Sequence, residues 1–261
     1  MLRRGIATAF GACLLILAAS LPLARSGRGQ DEGAGKQRGP QPAGGEAPPG
    51  KVYGEWAIRV KPDKGADYGK LIQEKGLPLF REAGGRMVGW WNTLIGDLYE
   101  QVTIWEYDGM PAFEKAIGFL GKSDSFHQFV ALRDPLLAGE ECRFLKLADW
   151  AEKPALPEGG KFLVHEVHRV RLSNMKSYLE FMQRSLPGLK KAGFRFAGPW
   201  QTAVGEWNEV TYLFRFESLE ERDRLIAAFL PTVPGHDYEL GIHSLAESVS
   251  TRLLVPAAFA R

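Results

Sequence analysis

Two acid–base arrangements stand out in this chain. Glu166 and His168 lie two residues apart in the run Val164-His165-Glu166-Val167-His168-Arg169, and on a strand that spacing puts both side chains on one face. A carboxylate beside an imidazole suits a catalytic base with its orienting partner, or two ligands of a metal ion, although two ligands alone do not complete a metal site. Glu106 and Arg215 form the second arrangement. They occupy equivalent positions in two similar stretches and carry opposite charge, which suits an internal salt bridge or a pair of groups polarising a ligand. His165 and Arg169 share the other face of the Glu166 strand, while His127, His236 and His243 fall in helical or loop segments.

Those stretches are equivalent because the chain repeats itself. Gly84, Gly89, Trp91, Gly96, Glu100 and Trp105 recur at one constant spacing, without a gap, as Gly193, Gly198, Trp200, Gly205, Glu209 and Phe214, and Leu77-Pro78 returns as Leu186-Pro187. A repeat of this length means two copies of one small domain, so any chemistry is expected between the halves.

In the first copy the patterning predicts a strand over 52–60 and a helix from Tyr68 to Gly84-Gly85 that Pro78 interrupts or kinks. Hairpin strands follow over 87–93 and 99–107, then helices over 113–120 and 125–137 and a strand over 141–147. The second copy repeats this with strands over 161–171, 194–203, 207–216 and 248–255, helices over 175–192 and 219–229, and a segment over 238–246. The order βαββαβ defines an α+β, ferredoxin-like unit whose helices cover one face of an antiparallel sheet. Two bare faces in one chain can bury each other, which predicts one intramolecular barrel with a pseudo-twofold axis.

Within such a barrel, Val102, Ile104 and Glu106 and their equivalents Thr211, Leu213 and Arg215 face the interior, while Trp105, Tyr107, Phe214 and Phe216 pack under helices. Ile104, Glu106, Thr211, Leu213 and Arg215 are therefore the predicted ligand-binding set, and Glu166 and His168 the catalytic candidates. The first strands give no clean inward face, because polar residues occupy both sides of 165–169. Trp56, Trp90, Trp91, Trp105, Trp200 and Trp207 give an aromatic pair of sheets suited to a planar apolar ligand or to plain core packing.

The rest of the chain bounds these readings. The 261 residues are 45% hydrophobic and 25% charged, an ordinary globular composition, and the net charge of +2 is spread without a basic stripe, which argues against nucleic acid. Leu2-Arg3-Arg4 and the apolar run over 6–23 read as a secretory signal over 1–26, or as a membrane anchor if uncleaved. Residues 27–50 are Gly/Pro-rich and read as a tether; repeats over 51–149 and 161–261 flank a linker over 150–160 with Lys153-Pro154 and Leu156-Pro157. If the signal is removed only Cys142 remains, too few thiols for an internal disulfide. There is no glycine-rich phosphate loop, Gly-x-Ser-x-Gly elbow or Cys-x-x-Cys, so no cofactor and no metal is predicted.

Val52-Tyr53 with Val60-Lys61-Pro62, Glu74-Lys75-Gly76-Leu77-Pro78-Leu79, Gly85-Arg86-Met87-Val88-Gly89-Trp90-Trp91, Ile95-Gly96-Asp97-Leu98, Ile104-Trp105-Glu106-Tyr107-Asp108 and Pro135-Leu136-Leu137 ahead of Glu141-Cys142-Arg143 resemble the NIPSNAP family. The resemblance covers the first copy well and the second more faintly, and implies units of the dimeric α/β barrel superfamily. The family's first strand usually reads Tyr-Glu-Leu-Arg-Thr-Tyr. Here Tyr53-Gly54-Glu55-Trp56-Ala57-Ile58 lacks that Glu and Arg, and the second copy has Glu166 and His168 in their place. A His that often precedes Leu-Trp in the third strand is replaced by Thr103 and Tyr212. The resemblance implies no established reaction. The expectation is an exported binding or interaction module, holding a small apolar or aromatic ligand or a protein partner between its sheets. The alternatives are a cofactor-independent oxygenase or isomerase, and a structural protein with a filled barrel.

Overall fold

The computed structural model describes residues 50–151 and 160–260. The signal-like segment, the tether up to residue 49 and residues 152–159 of the linker lie outside the described residues. The first repeat runs β1 (Val52–Val60), α1 (Gly65–Leu71), α2 (Leu77–Glu82), β2 (Arg86–Ile95), β3 (Glu100–Tyr107), α3 (Met110–Leu120), α4 (Asp124–Arg133) and β4 (Leu137–Leu147). The second runs β5 (Phe162–Val170), α5 (Met175–Lys191), β6 (Arg195–Val204), β7 (Glu209–Phe216), α6 (Leu219–Phe229), α7 (Val233–Leu245) and β8 (Ala246–Pro256).

Local chemistry explains the boundaries. A π-helical turn, Ile72–Gly76, separates α1 from α2 immediately ahead of Pro78 and takes up one residue more than a regular turn. Pro187 is instead carried inside the unbroken α5. Ser123 caps α4 by accepting from the Phe126 N–H, and Ser218 caps α6 in the same way from Glu221. The helix expected over 125–137 ends at Arg133, because Asp134–Leu136, with Pro135 at its centre, tightens into a 3-10 turn. The segment expected over 238–246 is the end of a full helix, α7, which starts where Thr232 caps the Gly235 N–H beside Pro234.

The eight strands close into one antiparallel barrel in the order β1-β3-β2-β8-β5-β7-β6-β4. The two halves do not lie on each other as separate layers: they share both edges, through β2 with β8 and β4 with β6. Register fixes which positions correspond. Tyr53 pairs with Glu106 and Leu145, and Leu163 pairs with Arg215 and Leu254. Tyr53 therefore matches Leu163, Glu55 matches His165, Trp56 matches Glu166 and Ile58 matches His168. This correspondence is one residue longer than the spacing that relates the later elements. The difference falls between Val60 and Leu77, where the π-turn of the first repeat has no counterpart in α5.

Alternation along the strands builds three cores. Tyr53, Trp91, Ile104, Trp200 and Leu213 fill the waist of the barrel, while Trp56, Trp90 and Trp105 pack beneath the helices of the first repeat. Tyr212, Phe214 and Phe216 pack beneath those of the second. The inward and outward faces of β3 and β7 thus fall as the alternation predicts. Only Trp91 and Trp200 of the tryptophans enter the barrel; Trp207 is 69% exposed on the β6–β7 hairpin. Cys142 packs against the core of the first repeat.

Candidate functional site

The predicted inward residues lie at the waist and at one end of the barrel. Ile104, Thr211 and Leu213 have no exposed surface and pack in the core at the waist. Glu106, at the end where β1 begins, is bound by Lys51 and by Arg86, whose Nη2 stands 2.5 Å from its carboxylate. Burial pushes the Glu106 carboxyl up, but Arg86, Lys51 and Tyr53 outweigh it and hold it below the usual carboxylate range. Among the described residues no ion pair joins Glu106 to Arg215; Glu106 is held within its own repeat, while Arg215 Nε is buried without a hydrogen-bond partner and burial lowers its guanidinium from its ordinary value.

The opposite end holds a network that the sequence reading missed. Glu55 on β1 and His165 on β5 occupy equivalent positions and meet inside the barrel, with His165 Nε2 3.3 Å from Glu55 Oε2. Arg143 on β4 donates to Glu55 Oε1 from Nε at 3.1 Å and Nη2 at 2.8 Å, and to Glu209 on β7 from Nη1 at 2.6 Å. The pseudo-twofold partners of that last pair, Arg252 and Glu100, also meet, at 2.9 Å. Burial would raise the Glu55 carboxyl, but the Arg143 charge and His165 overcome it and hold it far below the carboxylate range. These groups flank a cavity of about 530 Å³ lined also by Arg169, Glu206 and Ser250. Its charges are paired among themselves, with Arg169 donating to Glu209 at 3.1 Å, so the mouth is a self-neutralised, polar recess.

Glu166 and His168 point the other way, beneath the helices of the second repeat. His168 Nδ1 lies 2.7 Å from the Tyr178 hydroxyl of α5, which lies 3.0 Å from the Tyr212 hydroxyl of β7. His168 Nε2 lies 3.2 Å from Glu166 Oε2. Burial pushes the Tyr178 and Tyr212 hydroxyls well above their ordinary values, keeping both as neutral donors. The arrangement satisfies every atom with one direction of donation: Tyr212 to Tyr178, Tyr178 to His168 Nδ1, and His168 Nε2–H to Glu166. Ending on Glu166, the chain of donors engages one carboxylate oxygen and fixes the orientation of the group. Among the described residues no third His, Cys, Asp or Glu joins the pair to form a metal-binding group.

Glu166 opens into a chamber of about 190 Å³, walled by Val164, Leu189, Phe194, Phe214, Phe229 and Tyr238, with Arg222 of α6 also on its lining. The corresponding space of the first repeat shrinks to about 30 Å³. There Trp56 and Ile58 replace Glu166 and His168, Thr103 replaces Tyr212, and Arg133 and Glu140 form a buried ion pair at 3.1 Å beside Tyr68, the match of Tyr178. One repeat thus carries a chamber with an acid–base group, and the other fills the same place with an indole.

The comparisons with known proteins agree with this architecture. The model of the NIPSNAP family matches residues 57–152 and 166–261. Protein NipSnap homolog 2 of Homo sapiens is 24% identical over 205 residues, covering 76% of this chain and 70% of the relative. The whole barrel is similar to the solved structure of a proposed monooxygenase from Fusobacterium nucleatum, at 13% identity and TM-score 0.60, with 80% of this chain and 93% of that one covered. An anthrone oxidase-like protein is similar at 12% identity and TM-score 0.55, covering 79% and 91%. At these identities the two structures speak for the fold alone. With both halves of the barrel matched in tandem, the chain belongs to the NIPSNAP family.

Proposed function

We propose that this protein is a binding module for one small aromatic or apolar molecule, held under the helices of the second repeat with Glu166 as a polar contact. The observation that carries this reading is the difference between the repeats: a chamber of about 190 Å³ in one, against about 30 Å³ in the other. A cavity of about 150 Å³ lined by apolar side chains is large enough for benzene, so the chamber suits a single ring or a ring with a small fused partner. Placement beneath the helices, rather than in the larger recess between the two halves, is favoured because that recess is lined by paired charges whereas this chamber is mainly aromatic and aliphatic.

Titration with indane followed by ligand-observed NMR tests the reading, with one site per chain as the expected result. Glu166→Trp together with His168→Ile copies the first repeat into the second and should abolish binding while the fold persists. Retention of binding by that double variant would refute the assignment.

The chemical alternative, a cofactor-independent oxygenase or isomerase, is supported by the donor chain that ends on Glu166. The two solved barrels described as a proposed monooxygenase and as anthrone oxidase-like are consistent with chemistry on this fold. Export is also proposed, on the basic and apolar N-terminal run; N-terminal sequencing of protein from its own host tests it, and an intact Met1 in the cell interior would oppose it.

A further inference from the structure

We propose that Tyr238 is a hydrogen-bond donor of this chamber, which Glu166 and Arg222 also line, and that, together with Glu166, it selects a cyclic or aromatic ketone with an acidic C–H beside its carbonyl. The proposal rests on the reading of the chamber as a ligand site. Tyr238 comes from α7 and Glu166 from β5, and both line the same apolar space. The Tyr238 ring is stacked on Phe181 of α5, with centroids 6.2 Å apart and planes 25° from parallel, and meets Phe229 of α6 edge-on at 6.2 Å. Two helices thereby fix its orientation. Its hydroxyl has no hydrogen-bond partner among the described residues, whereas the neighbouring Tyr178 and Tyr212 hydroxyls are both engaged. A tyrosine hydroxyl on the wall of the chamber, with its ring fixed and no protein partner, can donate to a ligand oxygen placed there. Burial and the nearby Glu166 charge push it above its ordinary value, so it stays a neutral donor.

An acceptor and a donor on one small apolar chamber match the two ends of an enolisable ketone. The carboxylate of Glu166 takes a proton from the carbon next to the carbonyl. The C–H electron pair becomes the new C=C bond, and the carbonyl π pair moves onto oxygen, where the Tyr238 O–H donates to it. Return of the proton from the Glu166 carboxylic acid to that oxygen gives the enol, and its return to carbon restores the ketone. The sequence is a tautomerisation: nothing is oxidised or reduced and no co-reactant is consumed. His168 acts through Glu166 as a positioning residue, because its Nε2–H holds one carboxylate oxygen and leaves the other toward the chamber.

The test uses β-indanone and its carbonyl-free analogue indane with the full chain. Wild type should bind β-indanone roughly tenfold more tightly than indane, and should speed deuterium exchange of the ketone's methylene protons above the buffer rate in heavy water. Tyr238→Phe keeps the ring and its stacking; it should retain indane binding, lose the preference for the ketone and lose the exchange. Glu166→Gln should lose exchange. If neither compound binds wild type, the chamber reading itself fails, and this proposal with it. If both bind equally, or if Tyr238→Phe leaves preference and exchange unchanged, the role of Tyr238 is refuted while the chamber stands.

Discussion

Replacing Arg143 by Met should destabilise the barrel strongly at neutral pH and weakly in acid. Arg143 holds two carboxylates at once, Glu55 with a side chain 3% exposed and Glu209 with one 15% exposed. Methionine keeps most of the volume and removes the charge. Glu209 then retains Arg169 at the rim, but Glu55 keeps only His165 at 3.3 Å. Stripping one member from a buried pair costs about 3–5 kcal/mol, and for a folded unit of this size each kcal/mol lowers Tm by about 2–4 °C. The expected fall at about pH 7 is therefore on the order of 6–20 °C.

The pH dependence carries the sharper test. In the wild type the folded pKa of Glu55 is depressed below its unfolded value. Its contribution is then fully present above about pH 4.3 and is lost as pH falls through the folded value. Without Arg143, burial dominates and lifts the Glu55 carboxyl, so protonation favours the fold as pH falls. Urea melts from about pH 7 to about pH 3 should show the gap between wild type and variant narrowing steadily. A loss below about 1 kcal/mol at neutral pH, the value of a surface pair, or a gap that stays constant with pH, would show that Glu55 and Arg143 are not coupled as described.

Trp56→Ala should open a chamber in the first repeat at a cost of about 3–5 kcal/mol and raise the indane stoichiometry from one to two per chain; an unchanged stoichiometry would mean that the indole is not what closes that space. Tyr178→Phe leaves His168 Nδ1 without its donor at the centre of the buried chain and should cost about 1–3 kcal/mol in urea melts. Tyr212→Phe, at the end of the same chain, should cost less, and the reverse order would contradict the direction of donation. Ser218→Ala removes the cap of α6 and should cost about 1 kcal/mol without altering ligand affinity.

Much of the fold was legible because it rests on local rules. The glycines and tryptophans that recur at one spacing disclosed the duplication, and alternation along β3 and β7 sorted Ile104 and Leu213 inward and Trp105 and Phe214 outward. The first strands resisted the same logic. Polar groups are ordinarily kept from beneath helices, yet Glu166 and His168 sit there because they bond each other and Tyr178, carried over by α5, takes the remaining His168 nitrogen. No alternation pattern records a partner of that kind. The Glu55–His165 contact was hidden by the extra residue of the first repeat. The constant spacing of the later elements places Glu55 opposite Val164, and only the strand register brings it to His165. The start of α7, by contrast, was available in the sequence as Thr232 followed by Pro234.

The ring of strands also determines what a severed half would do. Because each seam joins a strand of one repeat to a strand of the other, cutting the chain in the linker would leave either fragment with two raw edges and an uncovered apolar face. Such a fragment has an obvious remedy in a second molecule of itself, which would restore the ring by assembly instead of by covalent linkage. The joined chain has no need of that remedy and is free to let its halves diverge. A homodimer of either half must carry two identical chambers, whereas this chain keeps one open and one closed.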